Sequence, residues 1–240
     1  MTINKNGLVL WEGPSELDGS PIVVVATGLK RTHNVKVGKS TIQIWYLPRN
    51  IAPIVAIKTG EDTSVCGDCK RRPVNGGDCY VVTFRGPHTV WKAYRRGSYQ
   101  RWDGVNMLPF IGRIVRFGAW GDPASVPAGT LQSIRDVTHG WMAYTHQWAR
   151  PSAAHMRPWC MASVDDVPEA ERAHAAGWRT FRARSADAPL LTGERVCPAA
   201  TEAPTHGRVF CESCRLCDGT ARGARRPSIA IQTHGFRAKR

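Results

Sequence analysis

The sequence predicts an α/β fold, a partial (β/α) barrel or open parallel sheet with a short β-rich N-terminal segment. Three observations carry that expectation. Short runs of β-branched and aromatic residues mark residues 1–60. From residue 111 such runs alternate with helical patterns or long loops, as parallel strands joined by crossovers do. The chain has 240 residues, 42% of them hydrophobic, enough for one large buried core.

Residues 22–26, 41–47 and 54–57 are expected strands, each bounded by Gly, Pro or Asn. Partial alternation within 41–47 predicts a strand with one face exposed. Gly38-Lys39-Ser40 ends like a phosphate-binding loop, but that motif requires Gly five residues before Gly38, and His33 stands there. Residues 71–77 form a loop. Residues 88–99 suit a helix with Val90, Trp91 and Tyr94 on one side. A strand over 111–117, a turn over 118–123 and a short helix over 127–134 with Leu131 and Ile134 inward come next. Strands follow at 141–146 and 159–164. Asp166-Val-Pro-Glu169 is a capping box that opens a helix through Ala170, Ala173 and Ala176, ended by Gly177. Further strands are expected at 178–182, 194–197 and 228–232, with a surface loop over 183–193 and an Arg-rich stretch from Ala221. The implied organisation is a β-rich segment over 1–60 lying against an α/β metal-binding domain over 61–235, then a basic tail over 236–240.

No apolar run is long enough to span a bilayer, and the first residues lack the apolar core of a secretory signal. A cytoplasmic protein is expected, where Cys residues more often bind metal or do chemistry than form disulfides. The net charge of +14 makes nucleic acid or another polyanion a candidate partner. The competing explanation is a GC-rich genome that inflates Arg and Ala.

Seven of the 8 Cys residues are clustered. Cys66, Cys69 and Cys79 form a C-x2-C-x9-C trio. Cys211, Cys214 and Cys217 follow Cys197-Pro198 as C-x2-C-x2-C. Thiolates at this spacing with a Cys-Pro elsewhere hold many iron–sulfur clusters, and x2 pairs also make zinc sites. Three ligands leave a metal position open to a substrate, whereas four close it. The rival arrangement is a single mixed zinc site, for example Cys66 and Cys69 with Cys197. Cys160, inside an expected strand, is a core residue.

In a parallel α/β sheet closed as a barrel, active sites lie at the C-terminal strand ends. Asp122, His146, Asp165, Asp166, Cys197 and His234 fall there. Each has a plainer role available. Asp122 precedes Pro123 in a turn, Asp166 caps a helix, His146 sits between Trp141 and Trp148 as a core residue would, and His234-Gly235 closes a strand.

The order of a Cys trio ending in Cys79-Tyr80, a strand, Trp120-Gly121-Asp122-Pro123, further strand–helix units and a C-terminal Cys group resembles the radical S-adenosylmethionine superfamily. It is most similar to phage-borne, degenerate members of that superfamily. The likeness spans residues 60–235. It implies a [4Fe-4S] cluster on Cys66, Cys69 and Cys79, with S-adenosylmethionine on the open iron and the Gly121-Asp122-Pro123 turn against its methionine moiety. It also implies an auxiliary cluster on Cys197, Cys211, Cys214 and Cys217, and host cytoplasm as the location of a phage protein. Two features depart from the family. Its usual trio is C-x3-C-x2-C, and Trp120 and Asp122 replace Gly and Glu. The alternatives carried forward are a non-catalytic nucleic-acid-binding protein stabilised by zinc or iron–sulfur, and a small protein that redirects a host factor.

Overall fold

Apolar runs near the N-terminus build an antiparallel three-strand unit. β1 (Gly7–Pro14) pairs with β2 (Pro21–Thr27), with an irregularity between Val9 and Trp11, and β2 pairs with β3 (Ile42–Pro48). The computed structural model describes residues 6–32, 34–223 and 226–233. β1 was not expected from the sequence. Every residue of β3 is buried, contrary to the half-exposed strand predicted there, because β3 lies inside the sheet with cover on both faces.

The expected strand at 54–57 is instead helix α1 (Pro53–Thr59). Pro53 suits the first turn, and Gly60 ends the helix in the left-handed region at φ 87°. Pro53, Ala56 and Ile57 are buried while Val55 is exposed, a helical stripe too short to distinguish from a strand by pattern alone. A single turn, α2 (Thr63–Cys66), then delivers the first Cys. Helix α3 (Gly86–Arg95) ends before the expected boundary and leads to the two-residue β4 (Gln100–Arg101), which pairs with β1.

The parallel part follows. β5 (Ile114–Trp120) lies three residues later than expected, and Gly118 does not break it. Helix α4 (Gln132–Val137) is also later, with Leu131 and Ile134 buried as expected. β6 (Gly140–Thr145), β7 (Met161–Val164), helix α5 (Val167–Ala175) and β8 (Thr180–Arg184) succeed one another, with a 3-10 segment at Pro151–Met156. One half of the predicted capping box forms: the Asp166 carboxylate accepts from the Glu169 N–H at 2.7 Å, while the Glu169 carboxylate accepts from the Asp165 N–H at 2.9 Å rather than from that of Asp166. β9 (Glu194–Val196), one turn of helix α6 (Cys211–Cys214) and β10 (Ser228–Gln232) complete the chain.

The strands form one open ten-stranded sheet in the order β4-β1-β2-β3-β5-β6-β7-β8-β10-β9. Pairing is parallel from β3 through β9. The N-terminal strands therefore extend the sheet through the β3–β5 pairing rather than packing against it. Because side chains alternate across a strand, the two faces divide along most of the parallel strands. Val115, Phe117, Ala143, Ala162 and Val164 enter one core with Ile134, Met156, Ala170 and Ala173 from the helical segments. Met161, Ile229 and Ile231 turn to the other face, where they meet Cys197. No described helix is long and apolar enough to cross a membrane.

Candidate metal centre

The second face of the sheet is the floor of a cavity of about 370 Å³. Alternate residues supply most of it: Arg116 and Gly118 from β5, Met142 and Tyr144 from β6, Phe181 and Ala183 from β8, Ile229 and Ile231 from β10. Cys66, Cys69, Cys79, Cys197, Cys211, Cys214 and Cys217 all line it. The two sets, separated by more than a hundred residues, are thus brought to one space. Cys160 is fully buried in the opposite core and is not among the lining residues.

The trio is held at the C-terminal rim by polar ties to the parallel strands. Gln147, just past β6, donates to the Cys66 carbonyl at 3.1 Å. A Cβ on Gly67 would lie 2.6 Å from the Gln147 amide, so the close approach requires glycine. Arg71 bonds Asp165 after β7, Asp78 at 2.6 Å, and the Ala183 carbonyl in β8 at 3.4 Å. Its own carbonyl receives the Cys79 N–H at 3.0 Å. Arg72 ties Gly60, Asp62 and Gly67 together. Asp165 and Asp166, expected as rim residues, therefore serve as an anchor for the Cys loop and as a helix cap.

The quartet lies lower on the strands. The Ala143 N–H in β6 donates to the Cys217 carbonyl at 2.9 Å, and the Cys197 N–H to Ala230 in β10 at 2.8 Å. The loop over residues 34–40 clasps α6: the Cys211 N–H donates to the Lys36 carbonyl and the Glu212 N–H to the Val37 carbonyl, each at 3.1 Å. Buried Arg179 donates to the carbonyls of Leu216 and Gly219 and to Asp218, which fixes the chain next to Cys217.

Asp122 and His146 are neighbours at the ends of β5 and β6. The Asp122 carboxylate accepts from the Ala124 N–H at 2.9 Å and the His146 N–H at 2.7 Å. Burial raises its pKa, against the lowering effect of these bonds. Asp122 is thus the turn residue of the plainer reading and also lines the cavity. The His146 Nε2 atom is buried and has no hydrogen-bond partner among the described residues. Gly121 takes φ 81°, and a Cβ there would meet Tyr46 at 2.6 Å. Pro123 opens the 3-10 segment Pro123–Ser125. His234 and the tail over 236–240 lie outside the described residues.

Burial raises the thiol pKa of all the lining Cys residues whose shift is resolved. Cys66 and Cys217 go well above the ordinary value, and Cys211 is pushed up to about 11. Neighbouring thiols add to the effect within each set: Cys69 and Cys79 act on Cys66, and Cys197, Cys211 and Cys214 on Cys217. The Tyr144 side chain shares a hydrogen bond with Cys217. Among the described residues no three Cys, His, Asp or Glu side chains converge as they must around one metal ion. With Zn–S bonds of about 2.3 Å, a single tetrahedral ion needs sulfurs roughly 3.8 Å apart. A polynuclear cluster spreads its ligands over several irons and tolerates wider spacing.

Arg116, Tyr144 and Gln147 were missed from the sequence. Arg116 and Tyr144 carry only one signal, their shared parity with Gly118 and His146 on adjacent strands. No family model matches the chain, and neither the curated proteins nor the solved structures give a match.

Proposed function

We propose that the chain is an iron–sulfur protein of the radical S-adenosylmethionine type, as its likeness to phage-borne members suggests, and that it acts on a substrate held in the cavity. The observation that supports this reading is that two Cys sets remote in sequence line one cavity on the inner face of a parallel sheet. Cys66, Cys69 and Cys79 would hold the reactive cluster and leave one metal position open. Cys197, Cys211, Cys214 and Cys217 would close an auxiliary cluster. When bound, the open-site cluster supplies the electron that cleaves S-adenosylmethionine.

The chain's own residues bind, orient and exclude water. Gln147 and Arg71 position the trio loop against the strand ends. Gly121 lets the turn approach Tyr46 closely, and Asp122, which lines the cavity, keeps acceptor capacity for a cofactor amine beyond its bonds to the Ala124 and His146 N–H groups and the Thr145 side chain. The apolar wall from Met142, Phe181 and Ile229 limits water around the reacting group.

Anaerobic purification with iron and sulfide analysis tests the metal, and formation of 5′-deoxyadenosine by the reduced protein tests the reaction. Brown protein that contains iron and sulfide and forms 5′-deoxyadenosine is expected, and Cys66→Ala, Cys69→Ala or Cys79→Ala should abolish turnover. Asp122→Asn should weaken S-adenosylmethionine binding with iron content retained. Colourless protein with stoichiometric zinc and no turnover would instead support a zinc-pinned nucleic-acid-binding protein.

A further inference from the structure

One guanidinium on the cavity floor has no carboxylate partner among the described residues. Arg116 stands in mid β5 and lines the cavity, while its neighbours Val115 and Phe117 enter the opposite core. Four enclosed arginines have acids: Arg71 meets Asp165 and Asp78, Arg72 meets Asp62, Arg179 meets Asp218, and Arg182 meets Glu194. Half-buried Arg113 and Arg184 instead spend their donors on several backbone carbonyls each. Arg116 has no such ion pair among the described residues. Its side-chain hydrogen bond is to the Tyr80 hydroxyl at 2.6 Å, and its other polar neighbours are Tyr144 and Cys211.

A guanidinium carries five N–H donors in a planar fork, and Tyr80 takes one of them. The residue is half-buried, so the fork is open to the cavity, and it matches a carboxylate or phosphate. Nearby surface is of a different kind. Tyr144 and Phe181 lie with ring centroids 4.6 Å apart, half-buried, with Met142 and Ile229 also on the cavity wall. A guanidinium without a carboxylate partner beside an aromatic, apolar surface is the pattern of a site for a flat organic anion.

We propose that Arg116 is the anion-recognition residue of the cavity, and that its ligand is a small organic anion with its carboxylate or phosphate on Arg116 and its flat apolar body against Tyr144 and Phe181. This names a substrate class for the iron–sulfur reading and rests on that reading for its role as substrate; the binding itself requires no metal.

The test is calorimetric binding of matched charged and neutral probes: adenosine 5′-monophosphate against adenosine, and indole-3-acetate against its amide. Iron and sulfide are measured on the same preparations. The native protein should bind at least one anion roughly 10- to 100-fold more tightly than its neutral partner. Arg116→Gln should erase that preference, and Arg116→Lys should restore part of it, which separates recognition from a folding defect. The nucleotide and carboxylate arms distinguish phosphate from carboxylate as the preferred group. Anion preference in protein devoid of iron supports the anchor and removes only the cluster reading. Equal binding of charged and neutral probes by the native protein overturns the proposal. So does an Arg116→Gln protein that keeps its anion preference, that loses metal and leaves the preference intact, or that loses only S-adenosylmethionine binding. The last two would assign Arg116 to the thiolates or to the cofactor.

Discussion

Gly38 holds a Cys group in place by lacking a side chain. It adopts φ 96°, and a Cβ there would fall 1.9 Å from Glu212 Cδ. Glu212 in turn accepts from the Ser40 hydroxyl at 2.7 Å, which seats α6 on the loop over residues 34–40. Gly38→Ala should therefore destabilise by about 1–3 kcal/mol and release metal from the quartet while the trio keeps its share. Denaturant melts and metal per chain check both parts. Cys160 predicts the opposite separation. It is fully buried in the helical core, so Cys160→Ala should cost about 1–3 kcal/mol and leave the metal content complete. A third prediction concerns pH. Unfolded thiols ionise near about pH 8.5, whereas burial holds Cys66, Cys69, Cys211 and Cys217 protonated to higher pH, Cys211 to about 11. In that window the folded metal-free protein binds more protons than the unfolded chain, so its stability falls as pH rises above about 8.5. Metal-loaded protein, with thiolates already bound, should lack that fall. Urea midpoints of both forms across the window decide the matter.

Arginine side chains fasten the loops around the site to the paired strands. Arg179, at the entry to β8, donates to the carbonyls of Leu216, Gly219, Arg226 and Pro227 and to buried Asp218. Arg179→Met should cost about 1–3 kcal/mol, because it strands several carbonyls while Asp218 keeps its bonds to Arg226, and it should lower metal at Cys217 more than at the trio. Thermal melts with metal analysis provide the measurement. These ties mark the boundary of what the sequence discloses. The cap of α5 was legible because Asp166, Pro168 and Glu169 are local. The strand expected at 54–57 became α1 because four apolar residues carry no period. β5 slid toward its C-terminus because Gly118, read as a turn, is accommodated inside the strand at φ 109°. Gln147 to Cys66 and Arg71 to Asp165 join segments that no spacing relates.

Over the whole molecule, the α/β class and both Cys sets were legible, but their meeting was not. It depends on β10 inserting between β8 and β9, which carries Cys197 back to the cavity face. The charge has a similar history. A net +14 invites nucleic acid, yet Arg71, Arg72, Arg113, Arg179, Arg182 and Arg184 spend donors on carbonyls or carboxylates of their own chain. Such residues contribute to the field around the protein but have fewer donors left for phosphate. Exposed Lys30, Arg31, Lys36 and Lys39 cluster in the loop that borders the cavity at Asn34 and Val37. A nucleic acid approaching the cavity would meet these charges first, releasing counterions in proportion to the phosphates neutralised. The expected outcome is binding whose logarithmic affinity falls linearly with the logarithm of salt concentration. Each of Lys30→Ala, Arg31→Ala, Lys36→Ala and Lys39→Ala should reduce that slope by roughly 0.7–0.9, at the lower end for a single strand and the upper end for duplex DNA. A slope near zero, or slopes unchanged in these variants, would assign the surface charge to composition and leave the cavity to a small substrate.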